Sequence, residues 1–360
     1  MSSRSNLNKW LAVLVVFSLI VLAGCAGDAA DDTTTTEATT TTAATTTEAT
    51  TTTTEATTTT TTAVMVDEEL VLAEQITAQF AEWTPTIAAD ALYENLTDGD
   101  ESNDPFIVSV RAPEDYALGH IEGAINIPWK TIADPGNLAM LPTDQPIVVY
   151  CYTGHTGQVA ATLLRTFGYD VSNLKFGMMG WSDDLDVVAT TPFTAAPGYP
   201  TVTEPTVATE TYDLPVLATG ETEATEIAIA AAQAMLADWA PTIAADALYE
   251  NLTDGDESND PFIVSVRAAD VYALGHIEGA INIGWKAIAD PANLAMLPTD
   301  QPIVVYCYTG HTGQAAATAL KLLGYDATNM KFGMMGWSDN AEVVGTAPFT
   351  VAPGYPTVAG

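Results

Sequence analysis

The chain contains two copies of one sequence, and this repeat limits the possible folds more than any other feature. Cys151 recurs as Cys307, 156 residues later, and residues 85–112 match residues 241–268 at every position. A period of this length is too long for a solenoid and fits two copies of a globular domain. Any fold predicted for one copy therefore applies to both.

Each copy carries its cysteine between two predicted elements. The apolar, β-branched runs 147–150 and 303–306 follow a proline and predict buried strands. The Ala/Leu-rich stretches 158–167 and 314–323 are followed by glycine, which predicts helices with glycine C-caps. The cysteine thus lies between the carboxyl end of a strand and the N-terminus of a helix, where open α/β sheets bind ligands.

This position favours a reactive thiol. Loop N–H groups and the helix dipole place partial positive charge near the sulfur, which favours the nucleophilic thiolate. Cys151 and Cys307 are therefore the candidate nucleophiles. The alternative is a buried cysteine that acts as a small hydrophobe.

The remaining pattern predicts an α/β fold. Helices are expected over residues 67–83, 223–239 and 88–96, and buried strands over residues 106–110 and 124–127. Strands that alternate with helices indicate a parallel sheet covered on both faces.

The N-terminus is typical of a targeting segment. Arg4 and Lys9 precede an apolar stretch over residues 11–22, which is short for a membrane span. The small residues before Cys25 resemble the lipobox of bacterial lipoproteins, which implies lipidation of that cysteine and an anchor on the extracytoplasmic face of the cell membrane. An ordinary signal peptide with a chance cysteine is the alternative.

Low-complexity segments separate the predicted units. The Thr/Ala/Glu-rich segment after the signal cannot bury a core and predicts an extended stalk. Thr, Pro and Glu also dominate the stretch between the copies, although we expect its Phe193 and Tyr199 to pack on the first unit. The predicted organisation is a signal peptide (1–24), a stalk (25–64), a first domain (65–200), a linker (201–222) and a second domain (223–360).

The charge of the chain excludes one class of partner. There are 10 Lys+Arg against 46 Asp+Glu, for a formal net charge of -36. A polyanion would be repelled, so we expect no nucleic-acid partner.

Three separated motifs resemble those of one family. Residues 110–116 (VRAPEDY) and 119–128 (GHIEGAINIP) resemble the paired signature of rhodanese domains. The strand-borne cysteine loop is similar to their active-site loop, and Gly177 with Trp181 resembles their closing motif. The resemblance implies two tandem domains, each with a central parallel β-sheet flanked by helices. It also implies a cysteine that accepts sulfane sulfur as a persulfide.

The resemblance implies an activity as well as a fold. We expect a sulfurtransferase that moves sulfur from thiosulfate, 3-mercaptopyruvate or polysulfide to a thiol or a cyanide-like acceptor, with no cofactor and no metal. The residues expected to bind substrate or persulfide are those of the two cysteine loops: Tyr152, Thr153, Gly154, His155, Thr156 and Gly157, with Tyr308, Thr309, Gly310, His311, Thr312 and Gly313.

The chain departs from the family pattern in its charges. Ser109 and Ser265 stand where many members have Asp, the cysteine loops contain no Arg or Lys, and Asp115 stands where thiosulfate enzymes supply an Arg. Because thiosulfate carries two negative charges, these changes weaken the case for it. A persulfide carrier or sensor without turnover, or an inert surface protein, therefore stays open. The loop lacks the closing Arg of the related phosphatases, which makes phosphatase activity the weaker alternative.

The histidines fall in two pairs. His155 and His311 could be protonated and attract an anionic donor, or could assist thiolate formation. The favoured alternative is a loop residue whose side chain points to solvent while its backbone N–H binds the persulfide. His120 and His276 are expected to bond their own turns. None has metal-ligand spacing with a cysteine.

Other polar residues receive structural interpretations. Arg111 and Arg267 could support substrate binding, but pairing with a carboxylate such as Glu122 or Glu278 is favoured. The acidic stretch 98–104 predicts a solvated turn, with calcium binding as the alternative. A disulfide between Cys151 and Cys307 is disfavoured because the two loops would have to face each other closely.

Overall fold

The computed structural model describes residues 66–360. The predictions for the signal peptide, for Cys25 and for the stalk lie outside the described residues. Within residues 66–360 the longest helices are too short or too polar to cross a membrane. We call residues 66–189 the first repeat and residues 222–345 the second repeat.

Each repeat has the same order of elements. Those of the first repeat are α1 (Glu68–Ala81), β1 (Thr86–Ile87), α2 (Ala89–Thr97), β2 (Phe106–Ser109), α3 (Pro113–Leu118), β3 (Ile125–Asn126), a 3-10 turn (Trp129–Thr131), α4 (Pro135–Leu138), β4 (Ile147–Tyr150), α5 (His155–Thr166), β5 (Val171–Leu174), α6 (Gly177–Trp181) and α7 (Leu185–Val188).

The second repeat follows with α8 (Ala224–Leu236), β6 (Thr242–Ile243), α9 (Ala245–Asn251), β7 (Phe262–Ser265), α10 (Ala269–Leu274), β8 (Ile281–Asn282), a 3-10 turn (Trp285–Ala287), α11 (Pro291–Leu294), β9 (Ile303–Tyr306), α12 (His311–Leu322), β10 (Ala327–Met330), α13 (Gly333–Trp337) and α14 (Ala341–Val344).

Each repeat builds one parallel five-stranded sheet. The strand orders are β1-β5-β4-β2-β3 and β6-β10-β9-β7-β8, so the strand that leads to the cysteine is central. All four residues of β4 and of β9 are buried, because helices cover both faces of the sheet. The predicted α/β fold with two parallel sheets is confirmed.

The main departure in the elements concerns the helix after each cysteine. It begins at His155 and His311, three residues before the predicted start, and the cysteine loop is correspondingly shorter. Gly154 and Gly310 precede these helices in the left-handed region, with φ near 85°. Glycine adopts this conformation without strain, which allows a sharp entry into the helix.

The two repeats share one hydrophobic core. Helices α5 and α12 pack on each other, and so do α1 and α8. Small residues such as Ala160 and Ala316 are fully buried in α5 and α12, which lets the two helices approach closely. Phe80 also contacts Trp285 across the boundary, with ring centroids 5.5 Å apart. The repeats therefore form one packed body.

The segment that follows each repeat packs on the other repeat. Val358 forms an antiparallel bridge with His120, and Tyr355 stacks on Tyr93, with ring centroids 4.0 Å apart. At the other end of the body, Val202 bridges to His276 in the same way. The two segments thus cross between the repeats in a nearly symmetric manner.

The two aromatic residues just before the linker do not both pack as predicted. Tyr199 stacks on Tyr249 of the second repeat at 4.0 Å, so the prediction that it packs on the first is wrong. Its ring continues the aromatic cluster around Trp337. Phe193 does reach the first repeat, where its N–H donates to Met179 Sδ (3.3 Å), while its ring also contacts Phe332 of the second.

A carboxylate of the first helix holds the rest of the linker. Glu68 accepts hydrogen bonds from the Thr219 N–H (2.7 Å), the Thr219 hydroxyl (2.6 Å) and the Gly220 N–H (2.9 Å). These bonds lower the pKa of Glu68, the Thr219 hydroxyl contributing most. The linker is therefore fixed at both of its ends.

Candidate active site

Both candidate nucleophiles lie at the carboxyl end of the central strand. Cys151 and Cys307 are free thiols, each only 1% exposed. The Gly154 N–H donates to Cys151 Sγ (3.1 Å), and the Gly310 N–H donates to Cys307 Sγ (3.2 Å). A backbone donor at this distance stabilises negative charge on sulfur, as a thiolate or as a persulfide requires.

The turn before α6 fixes the backbone of the first cysteine loop. The Met178 N–H donates to the Cys151 carbonyl (2.8 Å), and the Met179 N–H donates to the Tyr152 carbonyl (2.8 Å). Gly177 has φ 55°, and a Cβ there would lie 2.5 Å from the Cys151 carbonyl oxygen. Only glycine allows the turn to approach so closely. Met178, Met179 and Trp181 are buried.

A buried side-chain amide on the neighbouring strand also binds this loop. Asn173, on β5, donates to the Gly154 carbonyl (2.9 Å), and a Cβ on Gly157 would lie 2.3 Å from its Oδ1. The loop glycines therefore serve close packing on neighbouring elements as well as chain reversal.

The tyrosine after each cysteine has different partners in the two repeats. Tyr152 donates its hydroxyl hydrogen to Asp115 Oδ2 (2.5 Å) and accepts from the Ala112 N–H (3.0 Å). Burial and the Asp115 carboxylate raise the pKa of Tyr152 to about 12. Tyr308 keeps the backbone contact, from the Ala268 N–H (2.9 Å), but Val271 occupies the position of the carboxylate.

The loop histidines meet each other across the repeat boundary. The rings of His155 and His311 stack with centroids 5.5 Å apart and planes 17° apart. The Phe332 N–H donates to His155 Nε2 (3.0 Å), and the Phe176 N–H donates to His311 Nε2 (3.1 Å). Each imidazole therefore binds the backbone of the opposite repeat.

These contacts fix the charge of both rings. Since Nε2 accepts a hydrogen bond, the ring hydrogen lies on Nδ1, which is 2.9 Å from Thr153 Oγ1 in His155 and from Thr309 Oγ1 in His311. Burial lowers the pKa of His155 well below its usual value and that of His311 to about 3. The predictions of a protonated imidazole and of a side chain in solvent are therefore wrong.

Two strained phenylalanines, which the sequence reasoning missed, complete this interface. Phe176 and Phe332 have φ of 66° and 64°, a region that bulky residues rarely adopt. The ring of Phe176 packs edge-on against His311, and that of Phe332 against His155, with centroids 5.1 Å apart in both pairs. The sequence offered one signal for them, because each phenylalanine directly precedes the glycine of a tight turn.

Neither buried arginine forms an ion pair with a carboxylate of residues 66–360. Arg111 donates to the Val187 carbonyl (2.7 Å) and to the Gly119 carbonyl. Arg267 makes the equivalent pair of bonds, 2.6 Å each, to Val343 and Gly275. The predicted partners Glu122 and Glu278 are wrong, while a structural role agrees with this geometry.

The other two histidines bond their own turns, as predicted. Nδ1 lies 3.1 Å from the Tyr116 carbonyl in His120 and 3.0 Å from the Tyr272 carbonyl in His276. Each ring also stacks on that tyrosine, with centroids 3.8 Å apart.

The acidic stretch 98–104 forms the predicted exposed turn. Asp98 accepts from the Asp100 N–H (2.7 Å), and Asp100 accepts from the Ser102 hydroxyl (2.6 Å). Among residues 66–360 no cluster of three His, Cys, Asp or Glu side chains is arranged to hold a metal ion.

A cavity of about 260 Å³ opens at Cys307 and draws its lining from both repeats. Cys307, Tyr308, Thr309 and Thr312 come from the second repeat, and Thr86 and Lys175 come from the first. The site around the second cysteine is therefore composite, a feature that motif reasoning within one repeat does not reveal.

Known proteins place these features in one family. The model for "Rhodanese-like domain" matches residues 88–184 and 244–340. The chain is 31% identical over 105 residues to a sulfurtransferase of Allochromatium vinosum, covering 29% of this chain and 94% of that one. It is 38% identical over 76 residues to the thiosulfate sulfurtransferase GlpE of Pseudomonas paraeruginosa, and this match covers 21% of this chain and 67% of that one.

Other relatives match over smaller shares of their length. The chain spans 36% of one such relative and 23% of another. Among solved structures, a rhodanese-like domain protein from Staphylococcus aureus shares 32% identity, with 28% of this chain and 94% of that one covered and a TM-score of 0.26.

Proposed function

Since the chain belongs to the rhodanese-like family, with sulfurtransferases among its relatives, we propose that it transfers sulfane sulfur through persulfides on Cys151 and Cys307. One observation carries this proposal. Each sulfur lies at the end of a buried central strand and accepts a backbone N–H, at 3.1 Å in the first loop and 3.2 Å in the second. Such a site suits a thiolate that attacks sulfur and keeps the product shielded from water.

In the first step the cysteine thiolate attacks the outer sulfur of the donor. With thiosulfate, a new S–S bond forms, the sulfur–sulfur bond of the donor breaks, and sulfite leaves with the electron pair. With 3-mercaptopyruvate, the C–S bond breaks instead, and the pyruvate enolate takes a proton from water. With polysulfide, a shorter polysulfide leaves.

In the second step a thiolate or cyanide attacks the outer sulfur of the persulfide. The bond between that sulfur and Sγ breaks, and the cysteine leaves as a thiolate, ready for another cycle. The N–H of Gly154 or Gly310 stabilises this leaving thiolate just as it stabilises the attacking one. Splitting the transfer in two is the usual advantage of a covalent intermediate.

The loop histidines do not take part in proton transfer in this scheme. Their Nε2 atoms accept from Phe332 and Phe176, and their pKa values are lowered by burial, so they stay neutral at physiological pH. Neither step requires a general acid when sulfite is the leaving group of the first step and the acceptor in the second step is a thiolate or cyanide.

A carrier or sensor without turnover is the second candidate. The near-complete burial of both thiols and the absence of a cation within either loop favour it, because they slow the approach of an anionic donor. Such a protein would load sulfur and release it only to a specific partner. Multiple turnovers with a small acceptor distinguish the enzyme from the carrier.

The test is the intact mass of the full chain carrying Cys25→Ser, which leaves Cys151 and Cys307 as its only thiols. It is mixed with thiosulfate, 3-mercaptopyruvate or polysulfide, beside variants that also carry Cys151→Ser or Cys307→Ser. We expect a gain of one sulfur atom per remaining cysteine, which cyanide removes as thiocyanate. No gain with any donor, despite thiols that react with an alkylating agent, would reject persulfide chemistry.

We also propose that Cys25 carries the lipid that anchors the protein to the extracytoplasmic face of the membrane. The support is the sequence around Cys25, where small residues follow an apolar stretch. Metabolic labelling with a fatty acid should mark the wild-type chain and leave the Cys25→Ser variant unlabelled and in the soluble fraction. Equal labelling of both would reject the anchor.

A further inference from the structure

Most cations in the part of the chain that the structure describes make structural contacts. Residues 66–360 contain eight Lys and Arg side chains. Six of them form hydrogen bonds or an ion pair with other protein groups: Arg111, Lys130, Arg165, Arg267, Lys286 and Lys321. Within the described residues, the ammonium groups of Lys175 and Lys331 make neither kind of contact.

These two lysines occupy equivalent positions, each at the cysteine loop of the opposite repeat. Lys175 follows β5 and lines the 260 Å³ cavity at Cys307. Lys331 follows β10, and its charge lies close enough to His155 to help lower the pKa of that ring, as Lys175 does for His311. Each lysine is only half-buried, so a ligand can still reach its ammonium group.

The interface between the repeats holds each lysine in place. The Lys175 N–H donates to the Ile87 carbonyl (2.9 Å), and the N–H of the next residue, Phe176, donates to His311 (3.1 Å). The ammonium group lies over the ring of Phe176, 5.4 Å from its centroid. The backbone on both sides of the lysine is thus tied down, on one side to the opposite cysteine loop.

We propose that Lys175 and Lys331 are the anion-binding groups of the two sites, each supplied by one repeat to the cysteine of the other. Lys175 would serve Cys307, and Lys331 would serve Cys151. The substrate class is an anionic sulfur donor such as thiosulfate, and this assignment of a substrate rests on the proposed function. The lysines replace the cations that the cysteine loops lack.

The overall charge of the protein gives such a group a role in donor binding. With a formal net charge of -36, the protein repels a dianion over most of its surface. A lysine beside the cavity offsets this repulsion where the donor must dock, and an ammonium group binds sulfonate or carboxylate oxygens as a point charge. The neutral histidines of the loops cannot provide this charge.

The first arm of the test measures charge selectivity without sulfur chemistry. The full chain carrying Cys25→Ser and Cys151→Ser has Cys307 as its only thiol, and its alkylation is followed with anionic iodoacetate and neutral iodoacetamide. Lys175→Gln should lower the ratio of the iodoacetate rate to the iodoacetamide rate about fivefold, whereas Lys331→Gln should leave it unchanged. Lys175→Arg should retain the ratio.

The reciprocal background gives the matched control. In the chain carrying Cys25→Ser and Cys307→Ser, Lys331→Gln should lower the ratio at Cys151, and Lys175→Gln should not. An unchanged ratio in both backgrounds would overturn the proposal, and so would an effect of either lysine on the cysteine of its own repeat. A thermal unfolding midpoint equal to that of the same background without the lysine substitution verifies that each Gln or Arg variant is folded.

The second arm uses persulfide loading to test the substrate class. Lys175→Gln should slow persulfide loading of Cys307 by thiosulfate about tenfold or more. It should leave unchanged the reaction of Cys307 with an uncharged dialkyl trisulfide, a donor whose S–S bond breaks to leave an alkyldisulfanyl group on Sγ and release an alkyl thiolate. Equal slowing with both donors would overturn the assignment of an anionic donor. If the unsubstituted chain loads no sulfur at all, the proposed function fails, while the alkylation ratios still decide whether the lysines act across the repeats.

Discussion

His155 and His311 stack on each other across the repeat boundary, with their ring centroids 5.5 Å apart, and each accepts an N–H from the opposite repeat. This one contact joins the two cysteine loops. It also joins each loop to the turn that carries the lysine of the opposite repeat. The two sites are therefore parts of one interface.

The histidine pair predicts a dependence of stability on pH. Burial lowers both pKa values below the unfolded value of 6.5, so the unfolded chain binds more protons at acidic pH. The stabilisation is present above pH 6.5 and is lost as the pH falls toward the folded pKa of each ring, at up to about 1.4 kcal/mol per pH unit for each ring. Denaturant unfolding between pH 7 and pH 5 measures this slope.

The control for that slope is the double variant His155→Gln, His311→Gln, in which the Gln carbonyl can accept the same N–H. Its unfolding free energy should vary less between pH 7 and pH 5 than that of the wild type. A slope equal to the wild-type slope would show that the histidines are not the titrating groups.

A second prediction concerns the glycine that contacts the cysteine loop. In Gly177→Ala the new Cβ would lie 2.5 Å from the Cys151 carbonyl oxygen, at a φ of 55°. We expect a loss of about 1–3 kcal/mol of stability and slower sulfur loading at Cys151 than at Cys307. Gly333→Ala should reverse the preference, because its Cβ would lie 2.5 Å from the Cys307 carbonyl oxygen.

Gly136→Ala is the matched control for that pair. No atom lies within 4 Å of the Cβ it would add, and its φ lies outside the left-handed region. It should leave both unfolding and loading unchanged. Wild-type loading of Cys151 in Gly177→Ala, measured site by site by mass spectrometry, would contradict the role assigned to this turn.

The sequence predicted the local parts of the fold and missed what depends on contact between the repeats. Strand β4 and the helix after it follow from β-branched and Ala-rich runs that each repeat contains by itself. The start of that helix at His155 does not follow from the local sequence, because contacts with the second repeat stabilise the helix there. Tyr199 was placed on the wrong repeat for the same reason: its partner Tyr249 is 50 residues away.

The candidate site also combines local features with features that depend on docking of the repeats. Both cysteines and the glycine loops could be identified by motif, since their roles depend on neighbours in sequence. The neutral charge of His311 could not, because it results from burial against Phe176, which lies 135 residues away. A composite cavity with Lys175 likewise requires the two repeats to be docked.

A third prediction concerns the attachment of the linker. Hydrogen bonds from Thr219 and Gly220 lower the pKa of Glu68 in the folded protein. Their contribution is therefore present above the unfolded pKa of 4.5 and is lost as the pH falls through the folded value. Glu68→Gln should speed proteolytic cleavage near residue 220 at pH 7, since the amide is a weaker acceptor.

The neighbouring Glu69→Gln is the control for that change, because Glu69 makes only a 3.5 Å contact with the Leu217 N–H. It should leave the cleavage rate near the wild-type value. Equal cleavage of the wild type and of Glu68→Gln at pH 7 would mean that this carboxylate does not hold the linker.

The last prediction separates a structural from a substrate-binding role for the buried arginines. Arg111 is completely buried and donates to two backbone carbonyls, including that of Val187. Arg111→Met would leave both acceptors without these donors, so we expect a loss of about 2–4 kcal/mol of stability by denaturant unfolding. In the fraction that stays folded, the rate of persulfide loading of Cys151 by thiosulfate should match the wild type, and so should the rate at which Cys151 reacts with an uncharged dialkyl trisulfide. A selective loss of thiosulfate loading, at unchanged stability, would instead make Arg111 a substrate-binding group and reduce the need for Lys331.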